Sequence, residues 1–306
     1  MIKKLIAIIL SLFSLLSSIT AGNRADVSLL DRIFHRNSVE VYENIVYGDG
    51  ELNSIDIYVP SQATRRSENA CILFIHGGGW QYGYGSKDDV AYLCERFSKK
   101  GYVTATMDYT LYEESKADQL LIDIMLDDIS AAVSCIKGFS DEHGLNVTKL
   151  ATSGYSAGGH LSLMYSLTRG SEGAIPVVFT ANMSAPVDTG YDVWGDQSVY
   201  WTKVLFGSAL TDEYIAQGRF DEAVRYVSPL YYVDENAVPS IFLHGMKDTT
   251  VPFAGAQKIK DAFEAAGVDY SFFAMPNSNH DLGDDPSIAN AFFDCFYDYC
   301  KEYFGY

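Results

Sequence analysis

The chain is short of the residues that metal and nucleotide chemistry require. It has no His-Glu-x-x-His motif, no paired Cys/His spacing and no glycine-rich phosphate loop, so no metal or nucleotide cofactor is expected. Its five cysteines include no Cys-x-x-Cys pair. Cys71 lies in a strand-like run, Cys94 and Cys135 in helical patterns, and Cys295 and Cys300 are too far apart in a helix to stack on one face. This arrangement predicts mostly buried free thiols with at most one or two bridges. Basic residues are also scarce, 22 Lys and Arg against 40 Asp and Glu, for a net charge of −18. Such a field disfavours nucleic acid and anionic lipid surfaces and favours neutral substrates.

Long apolar runs are absent except at the start. Lys3 and Lys4 precede an apolar stretch from Leu5 to Leu16, and Ser17, Ser18, Thr20, Ala21 and Gly22 then supply small residues for cleavage. Residues 1–22 are thus expected to be a signal peptide, which would make the protein secreted or periplasmic, with no stable membrane span after cleavage. The remainder, 23–306, is expected to be one domain.

What the chain does have is alternation. Residues 43–59 read as a β-hairpin around Gly48-Asp49-Gly50, with Ile55, Ile57 and Val59 alternating against polar neighbours. Strands are then expected at Cys71–Ile75, Tyr102–Met107, Thr148–Ser153, Val177–Met183, Ser240–His244 and Tyr270–Met275. Helices are expected at about Ser86–Lys100, Asp118–Lys137, Ala157–Leu167, Ala254–Ala266 and Ser287–Tyr303. Alternating β and α units predict a mostly parallel sheet with helices on both faces and an antiparallel N-terminal hairpin. Residues 188–235, rich in Tyr, Trp and Asp and weak in periodicity, are too long for an ordinary connection and read as a small helical lid insertion.

Two motifs carry chemistry. Gly154-Tyr155-Ser156-Ala157-Gly158 lies between an expected strand and helix, the context of a nucleophile elbow that lifts a serine hydroxyl clear of a sheet. His76-Gly77-Gly78-Gly79-Trp80 follows another buried strand, and its glycines allow the main chain to approach a developing oxyanion. A hydroxyl nucleophile needs a base, and there are six histidines. His35 precedes the sheet, His143 lies at its wrong end, His76 braces the glycine loop, His160 points along the helix after the serine, and His244 reads as structural. His280, in the polar loop after the last strand, is the expected base. Asp248 follows the preceding strand and is the expected orienting acid, ahead of its rival Asp188; Asp281 reads as a solvated loop charge. The order Ser156, Asp248, His280 is neither that of chymotrypsin nor that of subtilisin.

These residues, together with Leu52–Tyr58, Met107-Asp108-Tyr109, His244-Gly245 and Val251-Pro252, resemble the α/β-hydrolase superfamily, specifically esterases of the hormone-sensitive-lipase and feruloyl or acetyl-carbohydrate type. The resemblance implies an α/β-hydrolase fold and a cofactor-free serine ester hydrolase acting on a small-molecule or oligosaccharide ester. It implies Ser156, Asp248 and His280 as the catalytic set, and an oxyanion hole formed by Gly78, Gly79 and the N–H of Ala157. Trp80, Tyr155, Trp194 and Trp201 are candidates for substrate contact. Tyr82, Tyr84, Tyr191 and Tyr200 could join them, or the aromatics of the insertion could fill its own core. Thr110 and Asn279 depart from the family, which usually has Arg and Gly there. The glycine loop also resembles that of kynurenine formamidases, and the elbow that of prolyl-oligopeptidase-type peptidases, so amide substrates are the rival reading.

Overall fold

A computed structural model describes residues 38–306; the expected targeting segment and His35 lie outside the described residues. Eight strands form one sheet: β1 Val39–Val46, β2 Ser54–Pro60, β3 Asn69–Ile75, β4 Val103–Met107, β5 Val147–Tyr155, β6 Val177–Met183, β7 Ser240–Gly245 and β8 Tyr270–Met275. Their order is β1-β2-β4-β3-β5-β6-β7-β8, antiparallel at β1–β2 and β2–β4 and parallel elsewhere. This is the mostly parallel, doubly covered architecture expected from the alternation.

The sheet's two faces can be read from β3, which is buried along its whole length. Cys71, Leu73 and Ile75 face one apolar cluster and Ala70, Ile72 and Phe74 the other, the period-two alternation of a strand covered on both sides. On the second face Phe97, in helix α1 (Ala91–Ser98), packs against Phe296, with ring centroids 4.4 Å apart, and against Phe74 at 5.5 Å. The first face is covered by α2 (Leu121–Glu142) and by α3 (Ala157–Thr168). The expected helix at 86–100 opens as a 3₁₀ turn, Lys87–Val90, where Asp89 accepts the N–H of Ser86 at 2.9 Å. Helix α2 begins and ends later than its apolar pattern implied, and Gly144 at φ +64° follows its end.

β1 also differs from expectation, starting at Val39 rather than near Asn44. Its register shifts between Tyr42 and Ile45, and Asn44, at φ +56°, donates its N–H to Asp56 Oδ1 at 2.7 Å. The bulge leaves Val39, Tyr42 and Ile45 as its inward-leaning residues, a spacing of three that hides the strand from a period-two reading.

Between β6 and β7 the chain forms α4 (Tyr191–Trp194), α5 (Ser198–Phe206), α6 (Ser208–Ala216) and α7 (Phe220–Val227). In α7, Phe220, Ala223, Val224 and Val227 are buried at i, i+3, i+4 and i+7, so this stretch does carry helical periodicity. Val204, Leu205, Phe206, Ala223 and Val227 join the main core rather than a separate one. The last two helices are α8 (Phe253–Ala266) and α9 (Pro286–Tyr299), the latter followed by a π turn over Cys300–Phe304 instead of continuing to Tyr303. All five cysteines are unbridged. No helix among the described residues is long and apolar enough to cross a membrane.

Candidate active site

Ser156 sits between β5 and α3 at φ 55°, ψ −123°, backbone that a non-glycine residue rarely adopts and that costs about 1–3 kcal/mol to hold. Its neighbours make the turn possible. A Cβ on Gly158 would lie 2.0 Å from the carbonyl oxygen of Ile75, and one on Gly154 would lie 2.3 Å from the backbone of Gly158. The Ser156 N–H donates to the Met183 carbonyl at 2.8 Å, tying the turn to β6.

Three side chains from three loops meet at this turn. His280 Nε2 is 3.0 Å from Ser156 Oγ, and His280 Nδ1 is 2.7 Å from Asp248 Oδ2. A carboxylate can only accept, so Nδ1 carries the ring proton and Nε2 presents a lone pair to the serine hydroxyl. Asp248 Oδ1 accepts the N–H groups of Thr250 at 2.9 Å and Val251 at 2.8 Å. Burial pushes the Asp248 carboxyl up, but hydrogen bonds from His244, His280 and the Val251 N–H outweigh it and hold it well below the usual carboxylate range. Asp188, the rival acid, lies elsewhere: it is buried, ion-paired with Lys258 at 2.7 Å, and accepts the Gly190 N–H.

His244, read from sequence only as structural, also borders the acid. Its Nε2–H donates to the Val251 carbonyl at 3.0 Å and lies 3.4 Å from Asp248 Oδ2. The signal that could have found it is its position at the end of β7, four residues before Asp248. Asp285 likewise holds the histidine loop, accepting the backbone N–H groups of Asn277 and Ser278 and the Ser278 hydroxyl at 2.8–2.9 Å.

The glycine loop stands opposite. Gly78 (φ +105°), Gly79 (φ +59°) and Trp80 (φ +60°) are all left-handed, and a Cβ on Gly78 would lie 2.8 Å from the Tyr84 backbone. The buried His76 ring stacks on Tyr109 (4.4 Å, 18°), and its Nδ1–H donates to the Gly77 carbonyl at 2.7 Å. Tyr109 in turn donates its hydroxyl to the His76 carbonyl at 3.0 Å. The loop is thus braced from below, by His76 as expected and by Tyr109, which the sequence reading left without a role.

Ser156, Ala157, His280, Gly78 and Gly79 border a cavity of about 500 Å³ walled by Trp80, Trp194, Tyr200 and Trp201. Trp80 is buried edge-on to His160 (5.0 Å) and to Trp201 (5.7 Å). Trp194 is pinned by an Nε1–H bond to the Asp188 carbonyl at 2.7 Å. The indole N–H groups of Trp80 and Trp201 have no acceptor among the described residues. Tyr191 does not line the cavity; it leans on Phe220 with its ring half exposed. Tyr155 walls the cavity and donates its hydroxyl to the His280 carbonyl at 2.8 Å.

The family model BD-FAE matches residues 55–263, about two-thirds of the chain. The chain belongs to the BD-FAE family. Among its relatives are a probable isoprenylcysteine alpha-carbonyl methylesterase, ICMEL1, of Oryza sativa subsp. japonica and Esterase LipC of Mycobacterium tuberculosis. ICMEL1 is 25% identical over 79% of this chain and 57% of its own length, and LipC 24% identical over 80% and 60%. The chain therefore spans about 60% of the length of these curated relatives. A solved structure described as a truncated form of a carbohydrate esterase from gut microbiota superposes with a TM-score of 0.64 at 20% identity, covering 85% of this chain and 95% of that one. The fold is that of the α/β-hydrolases.

The BD-FAE chain's two departures from the expected pattern now have surroundings. Asn279 Oδ1 accepts the Thr249 N–H at 3.0 Å and the His280 N–H at 2.8 Å, joining the histidine loop to the acid loop in a way glycine cannot. Thr110 donates its N–H to Asp128 Oδ2 at 2.7 Å.

Proposed function

We propose that the protein hydrolyses carboxylic esters, with Ser156 as nucleophile, His280 as general base and acid, and Asp248 as the group that orients it. The observation that carries this reading is the hydrogen-bonded line from Ser156 through His280 to Asp248, at 3.0 and 2.7 Å, on the rim of a cavity large enough for a small substrate. Family membership and the esterases among the relatives support it.

In this mechanism Ser156 Oγ attacks the ester carbonyl carbon while its proton passes to His280 Nε2. The negative charge that develops on the carbonyl oxygen is taken by the N–H groups of Gly78, Gly79 and Ala157. Ala157 is the first residue of α3, so its N–H has no intrahelical acceptor, and it lies at the positive end of the helix. The intermediate collapses, the C–O bond to the alcohol breaks, and His280 gives its proton to the departing oxygen. Water, deprotonated by His280, then attacks the acyl-serine, releasing the acid and restoring the Ser156 hydroxyl.

Within this class we infer an acetylated or feruloylated carbohydrate as substrate, met outside the cytoplasm. The signal-like pattern of residues 1–22, the net charge of −18 and the carbohydrate esterase among the structural neighbours support that narrower reading. A hydrolysis panel of p-nitrophenyl acetate, methyl ferulate, acetylated xylan and N-formylkynurenine tests both levels, the last probing the amide reading. Ser156→Ala should remove nearly all turnover while the protein stays folded. Wild-type turnover of p-nitrophenyl acetate by that variant would overturn the assignment.

A further inference from the structure

Trp80 directly follows Gly79 at the end of the glycine loop, and it is held in place against two costs. Its backbone is left-handed at φ +60°, where a bulky side chain is an outlier that persists only when its surroundings dictate it. Its indole N–H is buried with no acceptor among the described residues, although buried donors are normally paired. In that position the ring stands edge-on to His160, with centroids 5.0 Å apart and planes at 83°. His160 lies one turn into α3, the helix whose first residue is Ala157. It is fully buried, does not line the nucleophile's cavity, and is fixed to the insertion by its Nε2–H bond to the Val227 carbonyl at 2.7 Å. Resting on the ester-hydrolase reading, we propose that the contact between His160 and Trp80 sets the gap between the two halves of the oxyanion hole, Gly78 and Gly79 on the loop and Ala157 on the helix. His160 is then a positioning residue that acts through Trp80 and touches no substrate.

The start of the glycine loop is fixed to α3 by close backbone packing. A Cβ on Gly158 would lie 2.0 Å from the Ile75 carbonyl oxygen and 2.4 Å from that of His76. The end of the loop is tied differently. The Gln81 N–H donates to the Gly78 carbonyl at 3.1 Å and the Tyr112 N–H to the Trp80 carbonyl at 2.7 Å, bonds that join the loop to itself and to the segment around Tyr112. The ring contact between Trp80 and His160 joins that end to α3. Trp201 of α5 also packs against the Trp80 ring, at 5.7 Å and 65°. Donors serve an oxyanion only within a few tenths of an ångström of their place, and a close-packed contact passes a displacement on from one ring to the next. A shift of His160 therefore moves Trp80, and with it the Gly79 N–H, away from the Ala157 N–H.

The test compares His160→Gln, Trp80→Phe and the double variant with the wild type on p-nitrophenyl acetate. Each single substitution should lower kcat about tenfold, part of the hundred- to thousandfold lost when an oxyanion donor is removed outright. His160→Gln should leave KM within about twofold. Two links of one path are not additive, so the double variant should also lose about tenfold rather than about a hundredfold. An aryl trifluoromethyl ketone, which adds to Ser156 and leaves its oxygen as an oxyanion in the hole, should bind His160→Gln more weakly by the same factor as kcat falls. Phe296→Ala, destabilised away from the site, is the control and should keep kcat within about twofold below its melting temperature. A lowered Tm with unchanged kcat in His160→Gln would show a merely structural role and overturn the proposal; so would additive losses in the double variant. Relaxation-dispersion NMR of ¹⁵N-glycine-labelled protein needs no turnover: the Gly78 and Gly79 amides should gain dispersion in His160→Gln, and in Trp80→Phe if the first variant does not fold, while Gly267 at the far end of α8 does not. Flat Gly78 and Gly79 profiles refute the positioning role. If the wild type hydrolyses no ester, the ester-hydrolase reading falls and the glycine amides still decide whether His160 holds the loop.

Discussion

Replacing Asp248 by Asn keeps the shape of the acid and removes its charge, and the surrounding hydrogen bonds decide the effect on catalysis. Oδ1 of Asp248 accepts two backbone N–H groups, at 2.9 and 2.8 Å, so the amide of an Asn must turn its oxygen toward Thr250 and Val251. Its NH₂ group then faces His280 Nδ1 at the position where Oδ2 now lies 2.7 Å away. Donor against donor is repulsive, and the neutral imidazole relieves it by moving its proton to Nε2. Nε2 then donates to Ser156 Oγ instead of accepting from it, and the base is gone. The opposite amide orientation is no better, because it sets the NH₂ against two backbone donors and leaves both unsatisfied. The expected loss in kcat is about ten thousandfold, or about 5.5 kcal/mol of transition-state stabilisation. Steady-state hydrolysis of p-nitrophenyl acetate measures it, with a thermal melt to show that the fold survives. Asp188→Asn is the control: it breaks the ion pair between the buried Asp188 carboxylate and the partly exposed Lys258 and should lower Tm while leaving kcat within a few-fold. A kcat within tenfold of wild type for Asp248→Asn, or the reverse ranking of the two variants, would refute the reasoning.

Three further outcomes are expected. Trp201→Ala and Trp194→Ala should both change kcat/KM unequally for acetyl and feruloyl esters, because both indoles wall the nucleophile's cavity, and Trp194→Ala should in addition lower Tm, because its indole N–H is bonded to the Asp188 carbonyl; parallel kinetics and melts separate the two. Burial lowers the pKa of His160 to about 4 although its Nε2–H donates to the Val227 carbonyl, so the unfolded chain takes up a proton near pH 6.5 before the folded one does. Stability from this group is complete above pH 6.5 and falls by about 3 kcal/mol as pH drops toward 4; urea melts of the wild type and of His160→Gln at pH 7 and 4.5 should diverge, and parallel pH dependences would count against it. Phe296→Ala, which empties the contact between α9 and Phe97, should cost about 3–5 kcal/mol in denaturant unfolding with no specific effect on KM.

The parallel strands were legible because each is covered on both faces and so reads as a continuous apolar run, as in Cys71–Ile75. The edge was less so. β1 is mostly exposed and carries a bulge at Asn44, so neither burial nor alternation marks its first half. The insertion hid its order differently. Its helices are short, and only α7 repeats an apolar face, which disappears in a window that spans the Tyr- and Trp-rich segment before it. The alternative in which its aromatics fill a private core also missed that Phe206 and Val227 reach the main one. A segment that shares the central core cannot be recognised as doing so until the tertiary neighbours are known.

At the site, the residues that meet the serine could be named because chemistry narrows them. Few side chains can take a proton from a hydroxyl, only six histidines exist, and strand-end position removed most of them. The residues that hold this set in place are not narrowed that way. Asn279 works through a side-chain oxygen that joins two loops 30 positions apart in sequence, and Tyr155 through a hydroxyl bond to a backbone carbonyl 125 positions away. Asparagine and tyrosine are common in loops and strand ends for many reasons, so their type carries no signal, and the pairings exist only once β5, β7 and β8 lie in one sheet. Reactive groups are constrained by what they must do, and their supports only by where they must reach. That is why the departure at Asn279 looked like a weakness in the family pattern when it is instead a strut between the loops that carry Asp248 and His280.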